Sequence, residues 1–232
     1  MFDSLVSGRE VCHLSEYVPD ISRTVCITGH RERYVPPYEG MPVYQSMTIS
    51  SVKLMLYRYI DMAVSKGYTN FISGLAMGTD LWAAEYILEK RRFNKDIRIF
   101  GMMPFRRHAE RFTPEYLEIL RKIELQADKI FSVCEDPDLT YGRRNTLMTS
   151  NTLYRDRNYC MVDNSSAVIA FMNADCIASG TAQTVNYANR RGRKVCRFSI
   201  DDVFDVIKES GPDIRSIGRN IALLENVFDM PW

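Results

Sequence analysis

Short apolar runs alternate with longer segments of helical period from about residue 23 onwards, and this alternation constrains the fold more than any other feature. Six runs have the length and the β-branched or apolar composition of buried strands, at residues 24–28, 70–73, 97–102, 129–134, 167–171 and 194–198. Between them apolar residues recur at spacings of three and four, as in Val52, Met55 and Tyr59. Strands that alternate with helices build βαβ units. The sequence therefore predicts an α/β fold with a mostly parallel central sheet of about six strands.

The predicted sheet defines a central domain with two flanking segments. The strand and helix pattern occupies residues 23–200. Residues 1–22 are expected to be an N-terminal extension, packed on the surface or acting as a partner-binding arm, and residues 201–232 a C-terminal helical tail. A chain of 232 residues buries a core without disulfides. Its six cysteines lie apart, with no C-x-x-C pair, so we expect no metal site and a reducing, cytoplasmic compartment.

Charge and hydropathy argue against two classes of partner. The chain has 30 Lys and Arg residues against 29 Asp and Glu residues, a formal net charge of +1, which gives no overall attraction to DNA or to an anionic membrane. It has no run of 18 apolar residues and no apolar leader, so neither a membrane span nor a signal peptide is expected. Any polyanion must be bound by a local group of residues.

The first of three unusual strand-to-helix junctions is T-G-H-R, residues 28–31. Ligands of open parallel sheets bind beyond the carboxyl ends of the strands, which makes such junctions candidate sites. Gly29 permits a close approach of the backbone to a ligand, and His30 follows it. Arg31 either meets an anion or is a solvated residue of a plain turn.

A loop rich in proline and tyrosine follows, at residues 31–45. Its length and composition make it a candidate lid over the ligand pocket. Tyr34, Tyr38 or Tyr44 would then stack on a base, which contributes roughly 1–3 kcal/mol. The alternative is that these tyrosines pack the loop onto the domain.

The second junction is S-G-L-A-M-G-T-D, residues 73–80, which ends a strand and opens a helix. Free N–H groups at a helix start, aided by the helix dipole, suit a phosphate. Asp80 has two interpretations. It stabilises the helix start by roughly 0.3–1 kcal/mol, or it accepts hydrogen bonds from ribose hydroxyls.

The third junction, A-S-G-T-A-Q-T at residues 178–184, also places small residues before a helix. Gly180 and Thr181 offer backbone N–H groups and a hydroxyl to a phosphate. Residues 190–194 form a basic run at the other end of this helix, where we expect dipole compensation and solvated surface. The helices that start near Gly78 and Gly180 should point into one pocket with Arg157 beside it, because parallel strands end at one edge.

The order of the motifs is specific. T-G-H-R, S-G-x-A-x-G-T-D-L-W-A-A-E, R-N-x-x-M-V-D-x-S and G-T-x-x-T-V-x-Y-A follow one another within residues 24–200. In this order they resemble the SLOG superfamily and, within it, the YpsA-like family of bacterial proteins of largely unassigned function. The superfamily also contains the Lonely Guy phosphoribohydrolases, the DNA-processing protein A family and nucleotide-sensing domains. The resemblance implies a Rossmann-like three-layer sandwich with a nucleotide pocket.

The likeness to the phosphoribohydrolases implies residue roles and one departure. Arg157 matches the catalytic arginine of their R-K-x-x-M segment, with Asn158 in place of the lysine. Gly180 and Thr181 match the last G-T of their P-G-G-x-G-T-x-x-E signature, and Thr184 stands where that signature has glutamate. Cleavage of an N-glycosidic bond builds positive charge on the ribose, which a carboxylate stabilises. A threonine cannot do so, which leaves Asp80 or Glu85 as replacements. Glu85 lies further into its helix, and the alternative for it is a purely structural role.

Three functions remain open. The leading hypothesis is a cytoplasmic protein that binds a nucleoside phosphate or an NAD/ADP-ribose-like ligand as a sensor or accessory factor. The second is a nucleotide N-glycoside hydrolase with Arg157 and Asp80 as catalytic residues. The third, single-stranded DNA binding, lacks a basic stripe with interleaved aromatic residues.

The ligand and partners follow from the leading hypothesis. We expect no required cofactor, a small-molecule nucleotide such as AMP, NAD or ADP-ribose as ligand, and a second copy of the chain as partner. Nucleic acid and membrane are not expected partners. The nucleotide-binding candidates are Thr28, Gly29, His30, Arg31, Ser73, Gly74, Gly78, Thr79, Asp80, Arg157, Asn158, Ser179, Gly180, Thr181 and Thr184.

Overall fold

The computed structural model describes residues 6–134, 136, 139, 150–176 and 178–230. The strands of this part of the chain are β1 (Thr24–Gly29), β2 (Asn70–Ser73), β3 (Arg98–Phe105), β4 (Lys129–Cys134), β5 (Ala167–Phe171) and β6 (Lys194–Phe198). They form one sheet in the order β4-β3-β2-β1-β5-β6. Every adjoining pair is parallel. The predicted parallel six-stranded sheet is confirmed; β3 extends three residues beyond its predicted end.

Helices cover both faces of the sheet. They are α1 (Gln45–Ser65), α2 (Thr79–Phe93), α3 (Pro114–Gln126), α4 (Ser150–Asp163), α5 (Gly180–Arg190), α6 (Ile200–Ser210) and α7 (Ile214–Ala222). Alternate residues of β1 point to opposite faces. Val25 and Ile27 pack in a core with α1, α2, α3, α6 and α7. Cys26 packs on the other face with α4 and α5. The result is the three-layer sandwich expected of a Rossmann-like fold.

The described part of the N-terminal extension packs against the chain's own sheet. The N–H of Cys12 donates to the carbonyl of Ile130 at 2.8 Å, and Cys12 forms a parallel bridge with Phe131 in β4. The Tyr17 ring centroid lies 4.9 Å from that of Phe131. The Cys12 bridge pairs part of the outer edge of β4, which would otherwise present unpaired backbone groups, and Tyr17 packs on the sheet face that carries Cys26.

The C-terminal helices α6 and α7 belong to the main core. Val203 and Ile207 of α6 and Ile217 and Ile221 of α7 are buried in the same cluster as α1. The capping box of Ser199 and Asp202 starts α6 directly after β6. Among the described residues, no helix combines the length and the apolar character needed to cross a bilayer.

Candidate functional site

A cavity of about 1520 Å³ opens at the carboxyl edge of the sheet. β1 lies between β2 and β5, so the chain builds β2, β3 and β4 on one side of β1 and β5 and β6 on the other. The strand order therefore reverses between β1 and β5, the point at which open α/β sheets form a crevice. The cavity is lined by residues that follow β1 and β5 and by parts of α2, α4 and α5. Its volume exceeds the roughly 300–1,000 Å³ of a typical small-ligand pocket.

The lining of the cavity is strongly basic. Among the described residues it contains six arginines and two aspartates: Arg31, Arg33, Arg111, Arg155, Arg157, Arg190, Asp80 and Asp175. The whole chain has a formal net charge of only +1. Positive charge is thus concentrated at one place, which favours an anionic ligand there.

The candidate residues from the sequence divide into two groups. Those that line the cavity are Thr28, Gly29, His30, Arg31, Asp80, Arg157, Asn158, Ser179, Gly180 and Thr181. Those outside the lining are Ser73, Gly74, Gly78, Thr79 and Thr184. In the second group, the hydroxyl groups of Ser73, Thr79 and Thr184 donate to backbone carbonyls, and Gly74 and Gly78 pack closely against neighbouring residues.

Gly29 and Gly78 let β1 and the start of α2 meet. A Cβ on Gly29 would lie 2.5 Å from Oγ1 of Thr79, and this hydroxyl donates to the carbonyl of His30 at 2.8 Å. Gly78 has φ +91°, and a Cβ there would lie 2.8 Å from Cα of Arg31. The two glycines therefore allow close packing of the backbone. The hydroxyl of Thr79 donates to a backbone carbonyl, so its proton is already used within the protein.

Ser73 and His108 stabilise the loop between β2 and α2. Oγ of Ser73 donates to the carbonyl of Asp80 at 2.9 Å and accepts the N–H of Leu75 at 3.2 Å. Leu75 adopts φ +54°, which is unfavourable for a non-glycine residue. Nε2 of buried His108 donates to the Leu75 carbonyl at 3.2 Å, and burial lowers the His108 pKa to about 4. The sequence offered no sign of this histidine's role.

Arg157 and Asp80 form a buried ion pair at the floor of the cavity. Nη1 of Arg157 lies 3.7 Å from Oδ2 of Asp80 and donates to the carbonyl of Gly74. The N–H of Ala76 donates to Oδ2 of Asp80 at 3.4 Å. Burial raises the pKa of Asp80 to about 6, against the opposing effect of the Arg157 charge. The guanidinium thus provides the counter-charge of the Asp80 carboxylate and, through its hydrogen bond to the Gly74 carbonyl, holds the loop after β2 in place.

His30 presents a defined tautomer at the cavity. The N–H of Asn173, just after β5, donates to Nε2 of His30 at 3.0 Å, so the neutral ring carries its proton on Nδ1. Burial lowers the His30 pKa, and Asp175 opposes this effect. His30 is a residue of the cavity lining, and its Nδ1 carries the proton of the neutral ring.

The start of α5 brings the candidate residues Ser179, Gly180 and Thr181 to the cavity, but not Thr184. Oγ of Ser179 accepts the N–H of Ala182 at 3.1 Å and caps the helix. Gly180 and Thr181 line the cavity. Thr184 is buried, and its Oγ1 donates to the carbonyl of Gly180 at 2.7 Å. Its side chain therefore faces its own helix, and the structure does not place it in the cavity wall.

One residue of the basic run 190–194 belongs to the cavity. The run was expected to be solvated surface, and Arg190 is exposed, but it also lines the cavity with Gln183 and Asn186. Spacings of three and four residues place these side chains on one helix face, and this signal was present in the sequence. Arg191 instead pairs with Asp163 at 2.8 Å.

Glu85, a candidate replacement carboxylate, lies outside the cavity lining. Its Oε1 is 3.6 Å from Nζ of Lys122 on α3. Glu85 therefore belongs to the contact between α2 and α3, and Asp80 is the carboxylate that α2 brings to the cavity.

The loop 31–45 contributes to the cavity only through its first part. It forms three short 3-10 turns, Glu32–Tyr34, Tyr38–Gly40 and Pro42–Tyr44. Tyr34 lines the cavity and is 46% exposed. The ring of Tyr38 packs against Phe204 and Tyr44, with centroids 5.4 and 6.0 Å away. Of the three tyrosines, Tyr34 is therefore the one in the cavity lining, and the Arg33 guanidinium lies over its ring, 4.8 Å from the centroid.

Comparison with known proteins identifies the family. The sequence matches the YpsA family, described as the YspA SLOG family, over residues 25–203. The chain belongs to the YpsA family. The match confirms the resemblance found from the motifs. It runs from β1 to the beginning of α6 and contains all the cavity residues named above.

Two relatives of this YpsA-family chain are UPF0398 proteins. The one from Enterococcus faecalis (strain ATCC 700802 / V583) is 26% identical over 118 residues, which are 51% of this chain and 63% of that protein. The one from Macrococcus caseolyticus (strain JCSC5402) is 21% identical over 192 residues, 81% of this chain and 96% of that protein. Neither name states an activity.

Proposed function

We propose that this protein binds a nucleotide in the arginine-lined cavity and acts as a sensor or accessory factor. The ligand is a nucleoside phosphate or an NAD/ADP-ribose-like molecule. The observation that carries the proposal is the meeting of Arg31 with Gly180 and Thr181, the first residues of α5, around one cavity at the switch point of the sheet.

The start of α5 and Arg31 suit the phosphate. N–H groups in the first turn of a helix have no partner within the helix, and the dipole favours negative charge there. Arg31 is half-buried and, among the described residues, its side chain has no hydrogen bond or ion pair. A guanidinium in this position can bind phosphate in a bidentate manner.

The remaining wall suits a nucleoside. Tyr34 offers an exposed ring for stacking on a base. Asp80 can accept hydrogen bonds from ribose hydroxyls, and the amides of Asn158 and Gln183 can bond to base edges. Each kind of group found in a nucleotide thus has a complementary side chain in the lining.

A second candidate function, hydrolysis of the N-glycosidic bond, is favoured by Asp80. A carboxyl group with a pKa near 6 inside a cavity can act as an acid or base at neutral pH. Two observations favour binding without hydrolysis. The Arg157 guanidinium is bonded to the Gly74 carbonyl, and Thr184, at the position of the related hydrolases' glutamate, faces its own helix.

Calorimetry tests the binding proposal. AMP, ADP-ribose and NAD are titrated into the wild type, Arg31→Gln and the control Arg98→Gln, which removes an exposed arginine at the amino end of β3. We expect at least one of these nucleotides to bind, and Arg31→Gln to weaken it about tenfold or more through loss of a charge-assisted hydrogen bond. Arg98→Gln should leave affinity unchanged. Failure of all three nucleotides to bind at millimolar concentration would contradict the proposal.

Product analysis separates the sensor from the hydrolase. The protein is incubated with AMP, NAD and ADP-ribose, and free base is followed by chromatography. We expect no release above the blank. Release of base that Asp80→Asn abolishes would establish the hydrolase instead.

A further inference from the structure

Asn173 is a buried polar residue beside the cavity whose role the nucleotide site has not yet explained. It lies two residues after the end of β5 and is 6% exposed. It is not one of the residues that line the cavity. A buried amide must find hydrogen-bond partners, because burial of an unpaired polar group costs free energy. The partners of Asn173 therefore indicate what it holds together.

Asn173 makes hydrogen bonds to three other segments of the chain. Its backbone N–H donates to Nε2 of His30 at 3.0 Å. Its side-chain Oδ1 accepts the N–H of Ile200, the first residue of α6, at 3.0 Å, and Nδ2 donates to the carbonyl of Tyr34 at 3.4 Å. The first N–H groups of a helix have no partner within the helix. Because Ile200 supplies a donor and Tyr34 an acceptor, only an amide side chain satisfies both.

These bonds restrain Tyr34 at two points. The carbonyl of Tyr34 accepts from the Asn173 side chain. The Tyr34 ring lies next to the His30 ring, with centroids 5.9 Å apart, and the His30 ring is itself held by the Asn173 N–H. The Tyr34 ring is 46% exposed, so packing covers only part of it. The bonds from Asn173 therefore add a restraint that burial of the ring does not supply.

We propose that Asn173 is a positioning residue of the nucleotide site, which fixes Tyr34 in the cavity lining for contact with the base. This inference rests on the proposed nucleotide binding. A loop residue that is ordered only when the ligand arrives loses conformational freedom at that moment, which weakens binding. Asn173 orders Tyr34 in advance, although its own side chain is directed to the protein backbone.

The variant Asn173→Asp separates the two side-chain contacts. It keeps the shape of the residue and the oxygen that accepts from Ile200, but it places a second oxygen against the Tyr34 carbonyl in place of the N–H donor. Asn226→Asp is the matched control. Nδ2 of Asn226 also donates to another segment, to Oγ of Ser65 at 3.1 Å, and its Oδ1 accepts a backbone N–H. Asn226 lies outside the cavity lining.

Limited proteolysis with trypsin measures the loop without any ligand. The bond after Arg33 lies within the 3-10 turn Glu32–Tyr34, so cleavage requires this turn to open. We expect Asn173→Asp to be cleaved there about threefold to tenfold faster than the wild type, as the loss of one hydrogen bond gives. Cleavage after the exposed Arg92, at the other end of α2, should keep the wild-type rate. Asn226→Asp should match the wild type at both bonds.

Calorimetry connects the loop to the ligand. AMP, ADP-ribose and NAD are titrated into the wild type, and the variants are measured with the nucleotide that binds it most tightly. Asn173→Asp should weaken binding about threefold to tenfold, and Asn226→Asp should leave it unchanged. In a Tyr34→Ala background, Asn173→Asp should weaken binding by less than about twofold, because the residue that it positions is gone.

The outcomes distinguish the positioning role from nucleotide binding itself. If the wild type binds a nucleotide and Asn173→Asp binds it equally well, the positioning role is wrong and nucleotide binding stands. Equal weakening with and without the Tyr34 ring would assign the effect to the added negative charge and would also overturn the role. So would unchanged cleavage after Arg33, or equal acceleration after Arg33 and Arg92. If the wild type binds none of the three nucleotides, both proposals fail.

Discussion

The Arg157 guanidinium on α4 lies 3.7 Å from the Asp80 carboxylate on α2, and both side chains are less than one-tenth exposed. The two helices pack on opposite faces of the sheet. The same guanidinium donates to the carbonyl of Gly74, which follows β2. This ion pair therefore joins the two outer layers across the carboxyl edge of the sheet, at the floor of the cavity.

Loss of Arg157 should destabilise the whole fold. Arg157→Met leaves the buried Asp80 without its cation, and breaking a buried pair from one side costs about 3–5 kcal/mol. The double variant Arg157→Met/Asp80→Asn should recover part of this loss because the unpaired charge is gone. The free energy of unfolding in urea measures both. A loss below about 1 kcal/mol in the single variant would show that the pair is not a stabilising contact.

Asp80 should make stability decline as pH rises from about 4 to about 6. Burial raises its pKa from the ordinary 3.8 to about 6, so the folded state holds a proton that the unfolded state has released. The contribution is present in acid and lost through this window, by up to about 3 kcal/mol. Asp80→Asn lacks this dependence. Its free energy of unfolding relative to the wild type should therefore increase between pH 4 and pH 7, and a constant difference would contradict the raised pKa.

His108 should have the opposite effect on stability. Burial lowers its pKa from 6.5 to about 4, so on acidification the unfolded state takes up a proton before the folded state does. Its contribution is present above pH 6.5 and lost as pH falls toward 4. His108→Gln should therefore lose less stability than the wild type over this range. In the wild type the effects of Asp80 and His108 partly cancel, and only the two variants reveal them separately.

Gly78→Ala should cost more than an alanine at another left-handed glycine. At Gly78, with φ +91°, a Cβ would lie 2.8 Å from Cα of Arg31 and 2.9 Å from N of Glu32. Gly192, with φ +63°, has no atom within 4 Å of such a Cβ. We expect about 1–2 kcal/mol for Gly192→Ala from backbone conformation alone, and a clearly larger loss for Gly78→Ala. Equal losses in chemical denaturation would exclude the steric explanation.

Alanine substitutions of Tyr34 and Tyr38 should affect different properties, nucleotide affinity in the first case and thermal stability in the second. Tyr34→Ala removes an exposed ring from the cavity, so we expect nucleotide affinity to fall by about 1–3 kcal/mol with little change in melting temperature. Tyr38→Ala removes the packing on Phe204 and should lower the melting temperature while affinity is retained. Loss of affinity in Tyr38→Ala but not in Tyr34→Ala would reverse these assignments.

The sequence by itself determined the strands, the fold class and the family, because local periodicity reports burial. Residues such as Val25 and Ile27 are apolar since both faces of a parallel strand are covered, and a pattern of this kind is readable without any knowledge of neighbours. The glycines at the strand-to-helix junctions also indicated local backbone structure from the sequence alone. Gly78 marks a backbone conformation that other residues avoid.

Only the tertiary structure decided which side chains meet in the cavity. Ser73, Thr79 and Thr184 have the chemistry of ligand-binding residues, but backbone carbonyls nearby take their hydroxyl groups. Arg33 and Arg111 reach the cavity from segments far apart in the chain. Their meeting depends on strand order, which follows from long-range packing and leaves no local periodicity. Side-chain partners are therefore settled by competition within the folded chain, after the pattern of apolar residues has fixed the sheet.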